Sequence, residues 1–229
     1  MTQLLEATAL NKRFGAVTAA ADVSVAIAKD SVVGLIGTNG AGKTTFVNMV
    51  TGYLKPDQGS VRFKGRDITA LHPRQITRLG ISRSFQIPQL YDSLSAVDNL
   101  VVALGIVLRN AKQHPLARAP REVPGHDLPP QDAAEQMLER FGLSRFRDKP
   151  AGVLPEGIRK LLDIAMALAV KPELLLLDEP TSGVSSQEKF GIMDKIMRAV
   201  RAEGVTVLFV EHDMDIVGRY SERVLAFYD

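Results

Sequence analysis

The 229-residue sequence contains no cysteine. That excludes disulfides, cysteine-ligated zinc and thiol catalysis, and it suits a reducing compartment. No apolar run approaches the roughly 20 residues that a membrane span needs. The opening residues, Met1-Thr-Gln-Leu-Leu-Glu-Ala, lack the basic-then-apolar layout of a secretory signal. Neither sign of charge is in excess: 28 Lys plus Arg face 26 Asp plus Glu, a formal net charge of +2. A nucleic-acid binder usually shows a concentrated basic face, so no nucleic acid is expected as a partner. Hydrophobic residues make up 45% of the chain, enough for a full core and too many for a disordered tail. Any role at a membrane would be peripheral.

Short apolar runs alternate with segments of helical period. Ser31–Gly37, Glu173–Asp178 and Gly204–Val210 read as buried strands. The second holds four consecutive leucines and so has no polar face, as in a parallel sheet covered on both sides. Between the last two, Phe190, Met193, Met197 and Val200 recur at helical spacing. Strand, helix, strand in that order predicts a parallel α/β sheet. At the front, Leu4–Leu10, Ala19–Ile27 and Gly59–Phe63 read as strands with no long helix between them, which predicts an antiparallel layer. In the middle, Ser95–Leu108, Gln131–Phe141 and Ile158–Val170 read as helices, and the Pro/Arg stretch 109–130 as a surface loop.

Gly37-Thr-Asn-Gly-Ala-Gly-Lys43-Thr44 fits G-x-x-x-x-G-K-[ST], placed after a buried strand and before a helix from about Gly42, as its chemistry requires. Glycines let the backbone curl so that successive N–H groups face phosphate oxygens, and the helix N-terminus adds partial positive charge. Asn39, Gly40, Ala41, Gly42 and Thr45 complete that cradle. Lys43 can bridge the outer phosphates, and the Thr44 hydroxyl can ligate Mg²⁺. A Gly-rich turn with an exposed lysine is the bland alternative, and the strand–loop–helix context argues against it.

Asp178 and Glu179 end the leucine strand, and ligands gather at strand C-termini in parallel sheets. Asp178 there can hold Mg²⁺ through water. Glu179, facing the other way along the pleat, could polarise an attacking water. Two solvated carboxylates closing a strand are the alternative.

The phosphate loop, Gln86, Leu154–Ile158, Leu174–Glu179, Pro180-Thr181 and His212 stand in the order found in ABC-type ATPases, and the chain resembles that family over nearly its whole length. Ser84-Phe85-Gln86, Leu154-Pro-Glu-Gly157, Glu179-Pro-Thr-Ser-Gly183 and Val210-Glu-His-Asp-Met214 look most like the ATP-binding subunits of branched-chain amino-acid importers. The resemblance implies that Gln86 touches Mg²⁺ and the attacking water, and relays nucleotide state to membrane subunits. It implies that His212 contacts the γ-phosphate and that Phe14 stacks on adenine, a contact that needs only a π face. A core phenylalanine at a strand end is the alternative for Phe14. It also implies that Ile87–Tyr91 lines a groove for a cytoplasmic helix of a permease, with ordinary packing under the helical subdomain as the alternative. The basic residues Arg109, Lys112, Arg118 and Arg121 could meet anionic lipid, or simply be solvated.

The pattern fails in two places. Most ABC ATPases carry Leu-Ser-Gly-Gly-Gln where this chain has Leu154-Pro155-Glu156-Gly157-Ile158. Pro155 offers neither hydroxyl nor N–H, and Glu156 brings negative charge towards a phosphate held by a partner subunit. Ser185 stands where many relatives carry an acidic or amide residue that crosses the dimer interface. Its bland reading is a capping box with Glu188. A weak signature beside intact Lys43, Asp178, Glu179 and His212 suits a heterodimer with unequal sites. Members of that family generally continue past Val224–Asp229 with a turn, another strand and a terminal helix, so either the chain is trimmed or that tail is lost.

These readings predict an α/β P-loop NTPase core of ABC type with an N-terminal antiparallel β layer and an inserted helical subdomain. Residues 1–86 and 169–229 would form the β layer and RecA-like core, and 87–168 the helical part. The expected activity is hydrolysis of MgATP to power import of branched-chain or other hydrophobic amino acids. The expected partners are a second ATPase subunit, transmembrane permease subunits and, indirectly, a solute-binding protein, at the cytoplasmic face of the membrane. Import of urea, amides or aromatic acids is an alternative, as is a soluble ABC-type ATPase acting on nucleic acid or ribosomes. A GTPase is set aside because Asn11-Lys12-Arg13-Phe14 lacks the Asp of a guanine motif and precedes the phosphate loop.

Overall fold

The computed structural model describes residues 2–112 and 128–228. The Pro/Arg stretch and its basic residues Arg118 and Arg121 lie largely outside them. The chain divides into two compact units, Met1–Arg83 with Glu173–Glu179 and Gly204–Asp229, and Ser84–Pro172 with Pro180–Glu203.

The first unit opens with β1 (Gln3–Phe14), β2 (Val17–Ala28) and β3 (Val32–Gly37), followed by α1 (Lys43–Val50). Then come β4 (Gln58–Phe63), β5 (Arg66–Asp67), α2 (Pro73–Leu79) and β6 (Ile81–Ser84). Later segments add β7 (Leu174–Asp178), β8 (Thr206–Val210), α7 (Met214–Tyr220) and β9 (Arg223–Phe227). Two sheets result. The first runs β2-β1-β4-β5, the second β6-β7-β8-β3-β9.

The first sheet is the antiparallel layer read from the sequence. Leu5 lies opposite Ile27 and Phe63, and Ala7 opposite Val25 and Val61. All six are buried, while the intervening Glu6 and Arg62 are exposed. That is the period-2 pattern of a sheet packed on one face. β1 and β2 are longer than their apolar stretches because polar residues near Phe14 and Val17 still pair in the hairpin.

In the second sheet, β7, β8, β3 and β9 run parallel. Every residue of β7 and β8 is buried. Each of the four leucines of β7 gains about 1.5–3 kcal/mol from full burial. α1 packs Phe46, Val47 and Val50 into the core that both sheets share. Phe46 meets Phe227 of β9 edge-on at 5.4 Å. α2 and β6 were not foreseen. α2 buries a single side chain, Ile76, too little to register as periodicity.

The second unit holds α3 (Ala96–Lys112), α4 (Pro130–Arg140), α5 (Glu156–Ala169) and α6 (Ser186–Ala202). α3 continues to Lys112, into the start of the stretch expected to be loop. The apolar stripe of α5 buries Leu161, Leu162, Ala165 and Leu168, with Ile158 half-buried. Among the described residues no helix is long and apolar enough to cross a membrane.

Candidate functional site

β3 delivers the chain into the loop Gly37–Gly42, and α1 begins at Lys43. Gly42, the residue before the helix, has φ 85°, and a Cβ there would strike the Ala19 carbonyl oxygen at 2.4 Å. Only glycine fits both the left-handed backbone and that approach. No side chain caps α1, and its first turn carries no acid. Its leading N–H groups are therefore directed at whatever the loop encloses, and a phosphate satisfies them. Thr38, Asn39 and Gly40 are exposed on the rim, and Thr44 is exposed at the helix start.

Lys43 is only 6% exposed. Its ammonium folds back across the loop and donates to the carbonyls of Gly37 (2.7 Å) and Thr38 (2.8 Å). A buried cation held by two neutral acceptors can exchange them for an anion. The loop thus fits a nucleotide phosphate by its curled glycines, its uncapped helix and its inward lysine.

Asp178 and Glu179 stand at the end of β7. The pleat that was expected to set the direction of Glu179 does not reach it. The pleat ends at Asp178, and Glu179 adopts φ 50°, a left-handed conformation uncommon for a non-glycine residue. Its N–H donates to the Val210 carbonyl at 3.0 Å, which fixes that turn against the end of β8. Its carboxylate meets His212, with Glu179 Oε1 3.1 Å from His212 Nε2. His212 is placed by the buried Glu211, whose carboxylate accepts the His212 N–H. Asp213 follows as the cap of α7, accepting from the N–H groups of Asp215 and Ile216. A carboxylate paired with an imidazole can orient a water and share its proton.

Asp178 is not a solvated carboxylate. Its Oδ2 accepts from Arg83 of β6 at 2.5 Å, and both side chains are under 10% exposed. Arg83 also donates to Asn48 of α1 at 2.6 Å. One guanidinium thus ties the helix behind the phosphate loop to the acid at the end of β7. The sequence reading missed this clamp. Its only signal is a charge within an otherwise buried short strand.

Phe14 ends β1 and is 52% exposed, with Lys12 Nζ 5.7 Å from its ring centre. A core phenylalanine is therefore excluded, and the ring is half-exposed. Phe14→Ala should weaken ATP binding by about 1–3 kcal/mol and GTP binding about equally, with thermal stability unchanged. Titration calorimetry of both nucleotides checks this, and unaltered affinity would exclude the stacking role.

Gln86 lies in the second unit and is exposed. In the segment after it, Ile87 is 74% and Tyr91 50% exposed, while Pro88 is buried. Leu154 is buried, and Pro155 is the cap residue immediately before α5. Glu156 occupies the first turn, where a carboxylate suits the helix dipole but not an incoming phosphate. Gly157 has a packing reason of its own, since a Cβ there would meet Ile192 Cδ1 of α6 at 2.7 Å. The capping box expected from Ser185 and Glu188 is not formed. The Ser185 hydroxyl donates to the Glu188 carboxylate at 2.6 Å instead of accepting from the Glu188 N–H, which already binds the Ser185 carbonyl at 3.0 Å. A charged acceptor within reach accepts the hydroxyl's hydrogen bond.

A family model described as ABC transporter matches residues 20–182. The chain is 34% identical to the high-affinity branched-chain amino acid transport ATP-binding protein LivG of Salmonella typhimurium, over 96% of this chain and 86% of the relative. It is 34% identical to the corresponding protein BraF of Pseudomonas aeruginosa, over 97% and 87%. The crystal structure of an ABC-transporter ATP-binding cassette in its ADP conformation superposes with a TM-score of 0.82 at 32% identity, covering 99% of this chain and 88% of that one. With a formed phosphate loop, a paired Glu179 and His212, and these likenesses over nearly its whole length, the chain belongs to the ABC transporter family, as one of its ATP-binding cassettes.

Proposed function

We propose that this cassette hydrolyses ATP to power import of branched-chain or other hydrophobic amino acids through a membrane permease. The observation that carries the hydrolytic reading is the Glu179–His212 pair at 3.1 Å, on the same unit as the formed phosphate loop. The solute class rests on the relatives, which are named as branched-chain amino acid transport proteins.

In this reading Phe14 stacks on the base, and the loop from Gly37 to Thr45 holds the phosphates. Lys43 exchanges its two carbonyl partners for β- and γ-phosphate oxygens. Glu179 polarises the attacking water, and His212 donates to the charge that develops on the γ-phosphate. Thr44 and Asp178, both on the first unit, are the residues that would hold magnesium, and the family resemblance gives Gln86 the same role. When bound, that ion neutralises charge shared between the outer phosphates. Arg83 engages Asp178 through Oδ2, so Oδ1 remains to reach a hydrated ion. Ile87 and Tyr91 offer exposed apolar surface for a permease segment, with the cassette peripheral at the cytoplasmic face of the membrane and a solute-binding protein acting beyond the permease.

The weakened signature supports a heterodimer. Pro155 contributes no N–H, Glu156 contributes negative charge, and Gly157 is accounted for by Ile192. A partner with a full signature would complete this chain's site. Glu179→Gln protein given MgATP should remain monomeric by light scattering and should become a heterodimer when its partner cassette is added. An ATP-dependent homodimer of this chain alone would defeat the heterodimer reading, and failure to bind ATP at all would defeat the nucleotide reading.

A further inference from the structure

The apolar stripe of α5 contains one acid. Asp163 is 7% exposed, and it lies two turns along the helix that begins at the signature. Its two oxygens accept backbone N–H groups on either side of Gln86. Oδ2 takes Phe85 at 3.3 Å, and Oδ1 takes Gln89 at 2.9 Å. A second clip follows, where Tyr91 donates to Asn99 Oδ1 of α3 at 2.8 Å and Asn99 Nδ2 donates back to the Tyr91 carbonyl at 3.2 Å. Asn99 is fully buried. The segment that carries Gln86 is therefore held by its backbone, from two helices of its own unit.

We propose that Asp163 is a positioning residue for hydrolysis, fixing the Gln86 segment to the signature helix so that the two move as one piece. This rests on the reading of Gln86 as a group that meets magnesium and the attacking water. The placement has a cost. Burial is the largest influence on Asp163 and lifts its pKa to about 6, against the pull of the Gln89 and Phe85 amides and of Lys160. A folded pKa above the ordinary 3.8 means that this group's contribution to stability falls as pH rises from about 4 to about 6. The ionised carboxylate nevertheless accepts two amides from one loop, so its geometric role is to hold that loop. Lys160, the cation beside it, is itself directed to the Ser182 hydroxyl at 2.6 Å.

Asp163→Asn separates positioning from structure. An amide oxygen can accept one of the two N–H groups, while the amide nitrogen faces the other and cannot. Amide exchange at Phe85 or Gln89 should speed up by about 10- to 100-fold, the equivalent of one charge-assisted hydrogen bond. In the assembled ATPase, kcat should fall at least about tenfold, with ATP affinity within about twofold. The thermal midpoint at pH 8 should hold or rise, because a buried charge is gone. Asp163→Glu, measured alongside, should recover part of the turnover. Unchanged amide exchange, unchanged kcat, or a kcat loss that tracks a lowered midpoint would each overturn the proposal. Gln86→Ala serves as the control for the underlying reading. If that variant turns over at full rate, Gln86 has no catalytic part and the proposed role in turnover goes with it, whereas the exchange rates test the clip by themselves.

Discussion

Replacing Glu179 by glutamine should lower ATP hydrolysis by about 10²- to 10⁴-fold while leaving ATP binding intact. Glutamine keeps the shape and an acceptor oxygen, but it cannot take a proton from water. The substitution is mild structurally. Glu179 is partly exposed, and its left-handed backbone is held by the N–H to Val210, which the side chain does not alter. The contact with His212 Nε2 can persist to the amide oxygen. Single-turnover hydrolysis beside equilibrium binding separates the two effects. A fall smaller than about tenfold would remove Glu179 from the chemistry, and a matching loss of affinity would mean that it serves binding instead. The same change at the matching position of a partner cassette should cost less, because that site would face Pro155 and Glu156 of this chain. Equal losses from both would exclude unequal sites.

Arg83→Met should destabilise the cassette by about 3–5 kcal/mol, because it leaves the Asp178 carboxylate buried without its cation. For a chain of this length that corresponds to a fall of about 6–20 °C in thermal midpoint. The loss should be largely undone by adding Asp178→Asn, which removes the stranded charge. A double-mutant cycle of Arg83→Met and Asp178→Asn in thermal unfolding isolates the pair. A coupling below about 0.5 kcal/mol would show that the 2.5 Å contact contributes nothing net. Arg83→Met should also loosen the link from Asn48 to β6, so nucleotide affinity should drop with stability. Arg83→Lys should restore charge but not both contacts, since one ammonium cannot reproduce the fork that reaches Asn48 and Asp178 together.

The legible parts of this molecule are those whose physics is local or periodic. Four leucines in a row name a strand buried on both faces, and β7 is that strand. Alternation at Leu5 and Ala7 names a half-buried strand, and β1 is that strand with a polar extension. The phosphate loop is legible because glycine, lysine and threonine at fixed offsets are the loop's own chemistry. α2 was not legible, because a seven-residue helix that buries one isoleucine leaves no period to read. Pleat alternation could not place Glu179 for a related reason. Pleat alternation is a rule for continuing strands, and the strand stops one residue earlier, at a hydrogen bond to β8 that sequence spacing does not contain. Ser185 was misread because an S-x-x-E spacing identifies which groups can meet but not which acceptor the hydroxyl prefers.

By itself the sequence determined the two kinds of sheet, the phosphate loop between β3 and α1, and the weakened signature at Pro155 and Glu156. Each follows from residue types at short range, where backbone geometry leaves few choices. Only the tertiary structure decided that Arg83 is shared between Asn48 and Asp178, 35 and 95 residues away. It alone brought Asp163 to the amides of Phe85 and Gln89, 78 and 74 residues distant, and made Gly157 a matter of Ile192. These pairings join elements far apart in the chain, and their partners are ordinary residues until packing removes water from between them. Burial then makes each charge find an acceptor or a counter-ion, and which one it finds depends on the topology of the sheets and helices.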